Sequence, residues 1–151
     1  MKKFIYPLSG SGPAIRNDFK EANGTYILHW YKGDKPRGIS RLLGNDCEGI
    51  LYIGETTGPL YDRVSLLETA IRNNSKEGQP KPAESGHAQI GKKFYRIRRH
   101  IKLTDLRIEV IRCIEDPKKD ESKLLEEYVA EFGELPPFNG NYGSEAYWSL
   151  F

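Results

Sequence analysis

Residues 24–31 read GTYILHWY, a stretch rich in β-branched and aromatic residues that is typical of a β-strand. Residues 49–54 read GILYIG, an apolar run bounded by glycines, which predicts a buried strand in a central position of a sheet. Residues 106–111 read LRIEVI and alternate with period two, which predicts a half-buried edge strand. These three stretches predict a small three-stranded antiparallel sheet.

Helical signals surround the predicted strands. Residues 60–74 show apolar residues at helical spacing, and residues 88–100 form a second predicted helix that is rich in basic side chains. A third helix follows Asp116, which suits an N-cap, and continues to a stop at Gly133. The predicted fold is therefore α+β, with a three-stranded antiparallel sheet flanked by helices.

The chain has 151 residues and a mass of 17.3 kDa, which suits one domain with a modest core. The predicted core covers residues 24–139, preceded by an irregular arm at 1–23 and followed by an aromatic tail at 140–151. The segments 32–48 and 75–86 read as loops long enough to carry target recognition.

Composition excludes several classes of protein. Two cysteines, Cys47 and Cys113, do not make a disulfide framework, and no CxxC pair indicates a zinc site. No apolar run reaches the roughly 18 residues of a membrane helix, and the N-terminus does not resemble a signal peptide. We therefore expect a cytoplasmic protein without a membrane partner.

Positive charge is concentrated in one segment, although the net charge is only +2. Six bases and no acid fall between residues 91 and 102, where they alternate with aromatic and apolar residues. A basic helix of this kind neutralises phosphates, so it predicts a nucleic-acid-binding surface. Its members are Lys92, Lys93, Arg96, Arg98, Arg99 and Lys102.

Five features occur in order along the chain. They are the tripeptides GTY at 24–26 and YIG at 52–54, then Arg63, a glutamate on the late helix, and Asn139 after a Pro-Pro turn. This set resembles the GIY-YIG nuclease domain, as found in homing, restriction and excision-repair endonucleases. The resemblance covers roughly residues 24–139 and implies a phosphodiester hydrolase.

The resemblance implies roles for the tyrosines and the arginine. Tyr26 matches the proposed general base, and Tyr52 on the next strand is placed to hydrogen-bond it. A phenol with a pKa near ~10 is a poor base at neutral pH, so it needs a neighbouring cation or hydrogen bond. Arg63 matches the group that holds the scissile phosphate, with Arg72 on the same helix as the fallback.

The resemblance also implies one metal-binding carboxylate, for which Glu121 and Glu126 compete. A helical projection places Glu121 within the apolar face and Glu126 and Glu127 towards solvent. A buried carboxylate is costly without a cation, which favours Glu121, whereas counting back from Asn139 favours Glu126. One carboxylate completed by water and phosphate oxygens suits Mg²⁺, or Mn²⁺ in its place.

Three further residues have less specific signals. Glu55 stands where the family often has a lysine, and it is placed to touch the metal or Arg63. His87 precedes the basic helix and is a candidate proton carrier or phosphate ligand. Asn139 is expected to orient a tyrosine or a loop. His29 and His100 are expected to be a strand-face and a helix-end residue.

The sequence thus predicts a metal-dependent endonuclease acting most readily on double-stranded DNA. A restriction-type enzyme on a palindrome would be a homodimer. The alternative is an inactive nucleic-acid-binding module with the same fold, favoured by Glu55 and by the spacing of Arg63. A protein-interaction domain is a third hypothesis, based on the aromatic tail and on the stretch 115–134, where acids outnumber bases.

Overall fold

The structure of the chain, a computed structural model, describes residues 3–84 and 87–140. Within them are seven β-strands, four α-helices and a short 3₁₀ turn at Leu103–Asp105. The strands are Phe4–Pro7 (β1), Gly24–Lys32 (β2), Lys35–Pro36 (β3), Ile39–Ser40 (β4), Asn45–Asp46 (β5), Ile50–Thr56 (β6) and Leu106–Arg112 (β7). The helices are Ser11–Phe19 (α1), Leu60–Asn73 (α2), Ala88–Ile97 (α3) and Pro117–Phe132 (α4).

The main sheet is antiparallel and has five strands, not the three predicted. Strand β2 lies at its centre, with β7 along one edge and β6 and β3 along the other. Strand β1 pairs with the far side of β7. The register sets Tyr26 of β2 opposite Gly54 of β6 and Val110 of β7. The α+β class and the antiparallel sheet are therefore confirmed, and the number of strands was too low.

Helices cover both faces of this sheet. Alternate β2 residues point to opposite faces, so Tyr26 and Leu28 share one face and Ile27 lies on the other. The first face packs in one core cluster with residues of α1, α2 and α3, including Ile15, Leu67 and Phe94. The second cluster joins Ile27 to α4, in side chains that also include Ile53, Leu125, Tyr128 and Phe132. The sheet that carries Tyr26 is therefore held between two packed layers of helices.

Helix α4 begins and ends as the sequence predicted. Asp116 is the N-cap, and its side chain accepts a hydrogen bond from the Lys118 N–H at 2.9 Å. Pro117 occupies the first helical position, where its missing N–H costs nothing. Gly133 ends the helix in the left-handed region with φ of 79°. Helix α2 matches its prediction within one residue, and α3 ends three residues earlier than predicted.

The N-terminal segment is not an irregular arm. It contains β1 and α1, and its Leu8, Ile15 and Phe19 side chains are buried. Pro13 stands in the first turn of α1, where proline is tolerated. The segment 1–23 is thus largely part of the packed fold.

Two strand positions were also predicted wrongly. Strand β7 lies between β1 and β2, so it is not an edge strand. Strand β6 is not central, because only β2 pairs with it among the described strands. Its outer edge is covered instead by the extended segment after α4, where the Phe138 N–H donates to the Leu51 carbonyl at 2.8 Å. This cover explains why β6 is apolar although it lies at the sheet edge.

The predicted loop at 32–48 contains three short strands. Strand β3 pairs with the end of β2, and β4 and β5 form a small hairpin. The hairpin tip is fixed to the end of α4, where the Leu43 N–H donates to the Phe132 carbonyl at 3.0 Å. The predicted tail lies outside the described residues from position 141 onwards. No helix in the described part of the chain is long and apolar enough to cross a membrane.

Candidate active site

Tyr26 and Tyr52 lie side by side on neighbouring strands. Their ring centroids are 6.1 Å apart with the planes tilted by 44°. Gly54, directly opposite Tyr26, makes room for both rings, because a Cβ there would lie 2.6 Å from the Tyr26 hydroxyl and 2.7 Å from Tyr52 Cε1. The glycine of the YIG tripeptide therefore lets the two phenols approach each other.

The two phenols differ in exposure but share the same neighbours. Tyr26 is completely buried, whereas Tyr52 is partly exposed. Burial raises the pKa of Tyr26, with a further increase from Tyr52, while the Arg63 guanidinium lowers it. Burial and the Glu121 carboxylate raise the pKa of Tyr52, and Arg63 again opposes them. Both phenols are therefore protonated at neutral pH in the free protein.

The Tyr26 hydroxyl occupies an unusual environment for a polar group. It makes no hydrogen bond of standard geometry to any residue in 3–84 or 87–140, although Arg63 and Tyr52 lie near enough for looser hydrogen bonds that affect the pKa values of the two phenols. Arg63 and Glu121 nevertheless lie close enough to shift its pKa in opposite directions. Buried hydroxyls normally have a partner, so an unsatisfied one within a cluster of charged groups indicates a functional position.

Arg63 reaches this cluster from the first turn of α2. Pro59 caps the helix, and the Arg63 N–H donates to its carbonyl at 3.3 Å. The half-buried side chain acts on both tyrosines and on His87. The fallback Arg72 is placed elsewhere, because it forms an ion pair with Glu68 at 2.7 Å. The structure thus brings Arg63, and not Arg72, to the tyrosines.

His87 joins the cluster from the start of α3. It is buried, and its ring stands edge-on to that of Tyr52 with the centroids 6.5 Å apart. Burial, reinforced by the Arg63 guanidinium, lowers the pKa of His87 to about 4. His87 is therefore a neutral imidazole at pH 7, able to accept a proton or a hydrogen bond.

Glu121 lies in the second turn of α4 and is half-buried. Burial raises the pKa of Glu121 to about 7, and the neighbouring Glu55 carboxylate contributes to this increase. Glu55 follows Gly54 directly on β6, and its Oε2 atom is buried without a hydrogen-bond partner among the described groups. Both carboxylates therefore raise the pKa of Tyr52, and Glu55 also raises that of Glu121.

The fallback metal ligand Glu126 is not directed to solvent, as the helical projection had predicted. It is only 6% exposed, and Ser122, one turn earlier, is completely buried. Helix α4 thus has a second buried stripe, which a projection with one apolar face does not anticipate. Glu127 is exposed, as predicted. Glu121 is among the groups that raise the pKa of Tyr26 and of Tyr52.

Asn139 fixes the strand that carries Tyr52. Its Oδ1 accepts from the Ile53 N–H at 3.0 Å, and its Nδ2 donates to the Ile53 carbonyl at 2.9 Å. The Asn139 carbonyl accepts from Lys93 Nζ of α3 at 3.4 Å. Asn139 therefore binds backbone groups with its side chain, which holds β6, and its own carbonyl connects this segment to α3.

The basic residues of α3 fall into two groups. Arg98 belongs to the fold, since it stacks on Tyr95 at 4.0 Å and donates to the Lys76 carbonyl at 3.1 Å. Four of the predicted nucleic-acid-binding residues have exposed side chains, namely Lys92, Arg96, Arg99 and Lys102. Phe94 and Ile101 pack inward. The exposed cations therefore form the candidate phosphate-binding surface.

The other two histidines lie away from this cluster. His29 is buried in the sheet, where its ring contacts Glu109 Oε1 at 2.9 Å and the Glu48 carbonyl at 2.8 Å. His100 is exposed just after α3. Both positions agree with the structural roles expected from sequence.

The metal-binding capacity of the cluster is limited to few protein ligands. No group of three or more His, Cys, Asp and Glu side chains within the described ranges is arranged to hold a metal ion. Glu55 and Glu121 provide carboxylate oxygens, with the unsatisfied Tyr26 hydroxyl nearby. This set fits Mg²⁺, which uses one or two carboxylates and keeps several waters.

The chain matches no protein-family model, no curated protein and no solved structure. Function must therefore be inferred from the chemistry of the cluster. Two phenols, a guanidinium, a neutral imidazole and two carboxylates meet from five separate elements, which are β2, β6, α2, α4 and the start of α3. Shifted pKa values caused by burial together with specific charged neighbours are typical of active sites.

Proposed function

We propose that the chain is a metal-dependent endonuclease of the GIY-YIG type that hydrolyses phosphodiester bonds in DNA. The convergence of Tyr26, Tyr52, Arg63 and Glu121 supports this proposal most directly, because these residues are far apart in sequence and act on one another's ionisation. Such a cluster provides a cation, an acid ligand and proton-transfer groups within one small volume.

Arg63 is assigned to the scissile phosphate. Phosphodiester hydrolysis adds negative charge to the phosphate in the transition state, and a planar guanidinium binds two of its oxygens at once. Its position on the first turn of α2 keeps it close to Tyr26 and Tyr52. Arg63 would therefore both orient the phosphate and favour the loss of a proton from a nearby phenol.

Tyr26 is the proposed general base, assisted by its neighbours. Its high pKa in the free protein is caused mainly by burial, so additional positive charge beside it is needed to ionise it. His87 is the second candidate to accept the proton, since it is neutral at pH 7 and stands against Tyr52, although its lowered pKa makes it a weaker base than an ordinary imidazole. Comparison of the cleavage rates of Tyr26→Phe and His87→Gln shows which of the two side chains accepts the proton.

Glu121 is the proposed metal ligand, and Mg²⁺ or Mn²⁺ is the proposed ion. When bound, the cation would offset charge on the phosphate and on its leaving oxygen. Glu121 would have to be ionised to bind it, although burial favours its protonated form. Binding of metal and loss of that proton are therefore coupled.

Helix α3 is the proposed contact with the DNA backbone. It begins beside the cluster at His87 and runs for ten residues, about 15 Å, which corresponds to roughly four base pairs. Lys92 and Arg96 are exposed and lie one helical turn apart on α3, and the exposed Arg99 follows just after its end. A rigid basic helix of this length suits a duplex, which makes double-stranded DNA the favoured substrate.

The proposal is tested by incubating supercoiled plasmid with Mg²⁺ and measuring nicked and linear products. We expect cleavage by the wild type, none in EDTA, and a loss of at least a hundredfold in Tyr26→Phe, Arg63→Ala and Glu121→Gln. Glu127→Gln, an exposed change on the same helix as Glu121, is the matched control and should cleave normally. Undiminished cleavage by the first three variants would overturn the site assignment.

A second candidate function is an inactive nucleic-acid-binding module. It is favoured by the complete burial of the Tyr26 hydroxyl, which leaves that group out of reach of a water molecule in the free protein. This candidate predicts salt-dependent binding of duplex DNA that does not require metal, with no cleavage of duplex, branched or single-stranded DNA under any divalent cation.

A further inference from the structure

We propose that Asn74, the residue that caps the end of α2, is a positioning residue that holds His87 in the candidate active site. This inference rests on the proposed function for its catalytic meaning, but the placement of His87 is measurable in the protein without DNA. Asn74 acts through the backbone around His87 and does not itself belong to the cluster of ionisable groups.

The Asn74 side chain is fixed in its own helix. It is completely buried, and its Nδ2 donates to the Ala70 carbonyl at 2.8 Å. Its backbone N–H donates to the Ile71 carbonyl at 3.1 Å. Because both the backbone and the amide are bonded to the last turn of α2, the amide presents its oxygen in a defined direction.

The same side chain contacts the chain on both sides of His87. The Ala83 N–H, four residues before His87, donates to Asn74 Oδ1 at 2.8 Å. Gly91, four residues after His87, lies so close that a Cβ there would be 2.8 Å from Asn74 Nδ2. The Gly91 N–H in turn donates to the His87 carbonyl at 2.9 Å. Asn74 therefore fixes both the approach to His87 and the first turn of α3.

Apolar packing does not by itself determine where α3 begins. Ile90 and Phe94 of α3 are buried in the core cluster, which holds the helix against its neighbours. Such contacts have no preferred direction, whereas a hydrogen bond requires a narrow range of distance and angle. Further along α3, the Tyr95 hydroxyl donates to the Gln79 carbonyl at 2.7 Å, eight residues away from His87. Asn74 thus supplies the directional contacts next to His87.

Helix α2 connects Asn74 to the reacting groups. It carries Arg63 in its first turn and Asn74 eleven residues later, about 16 Å along the axis. His87 responds to the Arg63 guanidinium and stands edge-on to Tyr52 at 6.5 Å. One rigid helix therefore carries Arg63 and also the contacts that place His87 beside it. Misplacement of a catalytic group by about 1 Å can cost up to about a hundredfold in rate.

The test compares Asn74→Ala and Gly91→Ala with two controls, Asn73→Ala and Tyr95→Phe. Asn73 is the half-buried neighbour of Asn74, and Tyr95→Phe removes a hydrogen bond of the same loop far from His87. In Gly91→Ala the added methyl would press on Asn74, while alanine favours the helix, so this variant should stay folded. Thermal unfolding checks that each variant is folded.

Two measurements separate positioning from a purely structural role. In nuclear magnetic resonance titration without DNA, the pKa of His87 should rise from about 4 by roughly one pH unit in Asn74→Ala and Gly91→Ala, because displaced His87 is less buried. In plasmid cleavage, kcat should fall by about 10- to 100-fold in both variants while KM stays near its wild-type value. Both quantities should match the wild type in the two controls.

The outcomes distinguish this inference from the proposed function. If the wild type cleaves plasmid, and the His87 titration and kcat are unchanged in folded Asn74→Ala and Gly91→Ala, the inference is overturned and the nuclease stands. A shifted titration with wild-type kcat also overturns it, because cleavage then does not need His87 where Asn74 holds it. In a protein that cleaves no DNA, the same shift in both variants supports the positioning of His87 and contradicts the nuclease.

Discussion

The Asn139 side chain binds both backbone polar groups of Ile53. It accepts a hydrogen bond from the Ile53 N–H at 3.0 Å and donates one to the Ile53 carbonyl at 2.9 Å. The amide thereby acts as a substitute for a neighbouring strand at the outer edge of β6. Tyr52 and Gly54 lie on either side of Ile53, so this pair of bonds fixes the strand where the cluster is built.

Asn139→Ala should therefore weaken both the fold and the site. Loss of two hydrogen bonds to partly buried backbone groups should lower the free energy of unfolding by about 1–3 kcal/mol. Urea unfolding measures this change, and plasmid cleavage at low urea measures the effect on Tyr52. Asn139→Asp keeps the acceptor but loses the donor, so it should fall between the alanine variant and the wild type. Wild-type stability in both variants would show that the bonds contribute little.

Gly54→Ala should disturb the tyrosine pair directly. The added methyl would lie 2.6 Å from the Tyr26 hydroxyl and 2.7 Å from the Tyr52 ring, and the buried Tyr26 ring has little space to move. Overpacking of this kind costs about 1–3 kcal/mol in stability. Cleavage should fall further than the stability loss explains. Gly58→Ala, where the nearest atom would lie at 3.7 Å, is the control and should have little effect on either quantity.

Arg63→Ala should change ionisation in the cluster as well as catalysis. The guanidinium lowers the pKa of His87, although burial is the larger cause, so the variant should raise that pKa without restoring its ordinary value. Nuclear magnetic resonance titration of the His87 ring measures the shift independently of DNA. Arg72→Ala provides the comparison, since Arg72 pairs with Glu68 away from the cluster. If the pKa of His87 is the same in Arg63→Ala as in the wild type, the Arg63 guanidinium does not act on the His87 ring.

Glu121 should make stability fall as the pH rises. Burial raises its pKa from an ordinary 4.5 to about 7, so between these values the folded protein holds a proton that the unfolded chain has lost. The stabilisation is complete below pH 4.5 and disappears above pH 7. In EDTA, Glu121→Gln should therefore gain roughly 2–3 kcal/mol over the wild type between pH 5 and pH 8. Urea unfolding at the two pH values measures the difference, in which the titration of His87 cancels. A constant difference would contradict the prediction.

The exposed cations of α3 should account for part of the salt dependence of DNA binding. Each change of Lys92, Arg96 or Arg99 to Gln should reduce the slope of log affinity against log salt by about one. Fluorescence anisotropy with duplex DNA in Ca²⁺, where cleavage is suppressed, measures the slope. Lys32→Gln at the end of β2, about 20 Å along the strand from Tyr26, is the control. If all variants have the same slope as the wild type, DNA does not bind at these residues.

Local patterns in the sequence predicted much of this arrangement. Strands β2, β6 and β7 follow from residue type and alternation, and the ends of α4 follow from Asp116 and Gly133. The proximity of Tyr26 and Tyr52 follows once their strands are paired. These features depend on residues that are neighbours in the chain, so the sequence alone predicts them.

Features that depend on tertiary packing were missed. Burial of Glu126 arises because α4 is covered on two stripes, and periodicity describes only the apolar one. The edge position of β6 is hidden in sequence because Asn139 and the Phe138 backbone cover it. Glu55 was expected at the metal or at Arg63 from its position directly after the YIG tripeptide. That its carboxylate acts on Glu121 depends on the relative direction of a strand and a helix, which no local pattern gives.

Strand β1 and helix α1 have a practical consequence for work with shortened versions of the protein. A fragment starting at residue 24 would remove the buried Leu8, Ile15 and Phe19 and would leave the outer edge of β7 bare. A bare strand edge recruits other chains, so the fragment should aggregate on expression. Any shortened version that is meant to fold must therefore keep the first two elements.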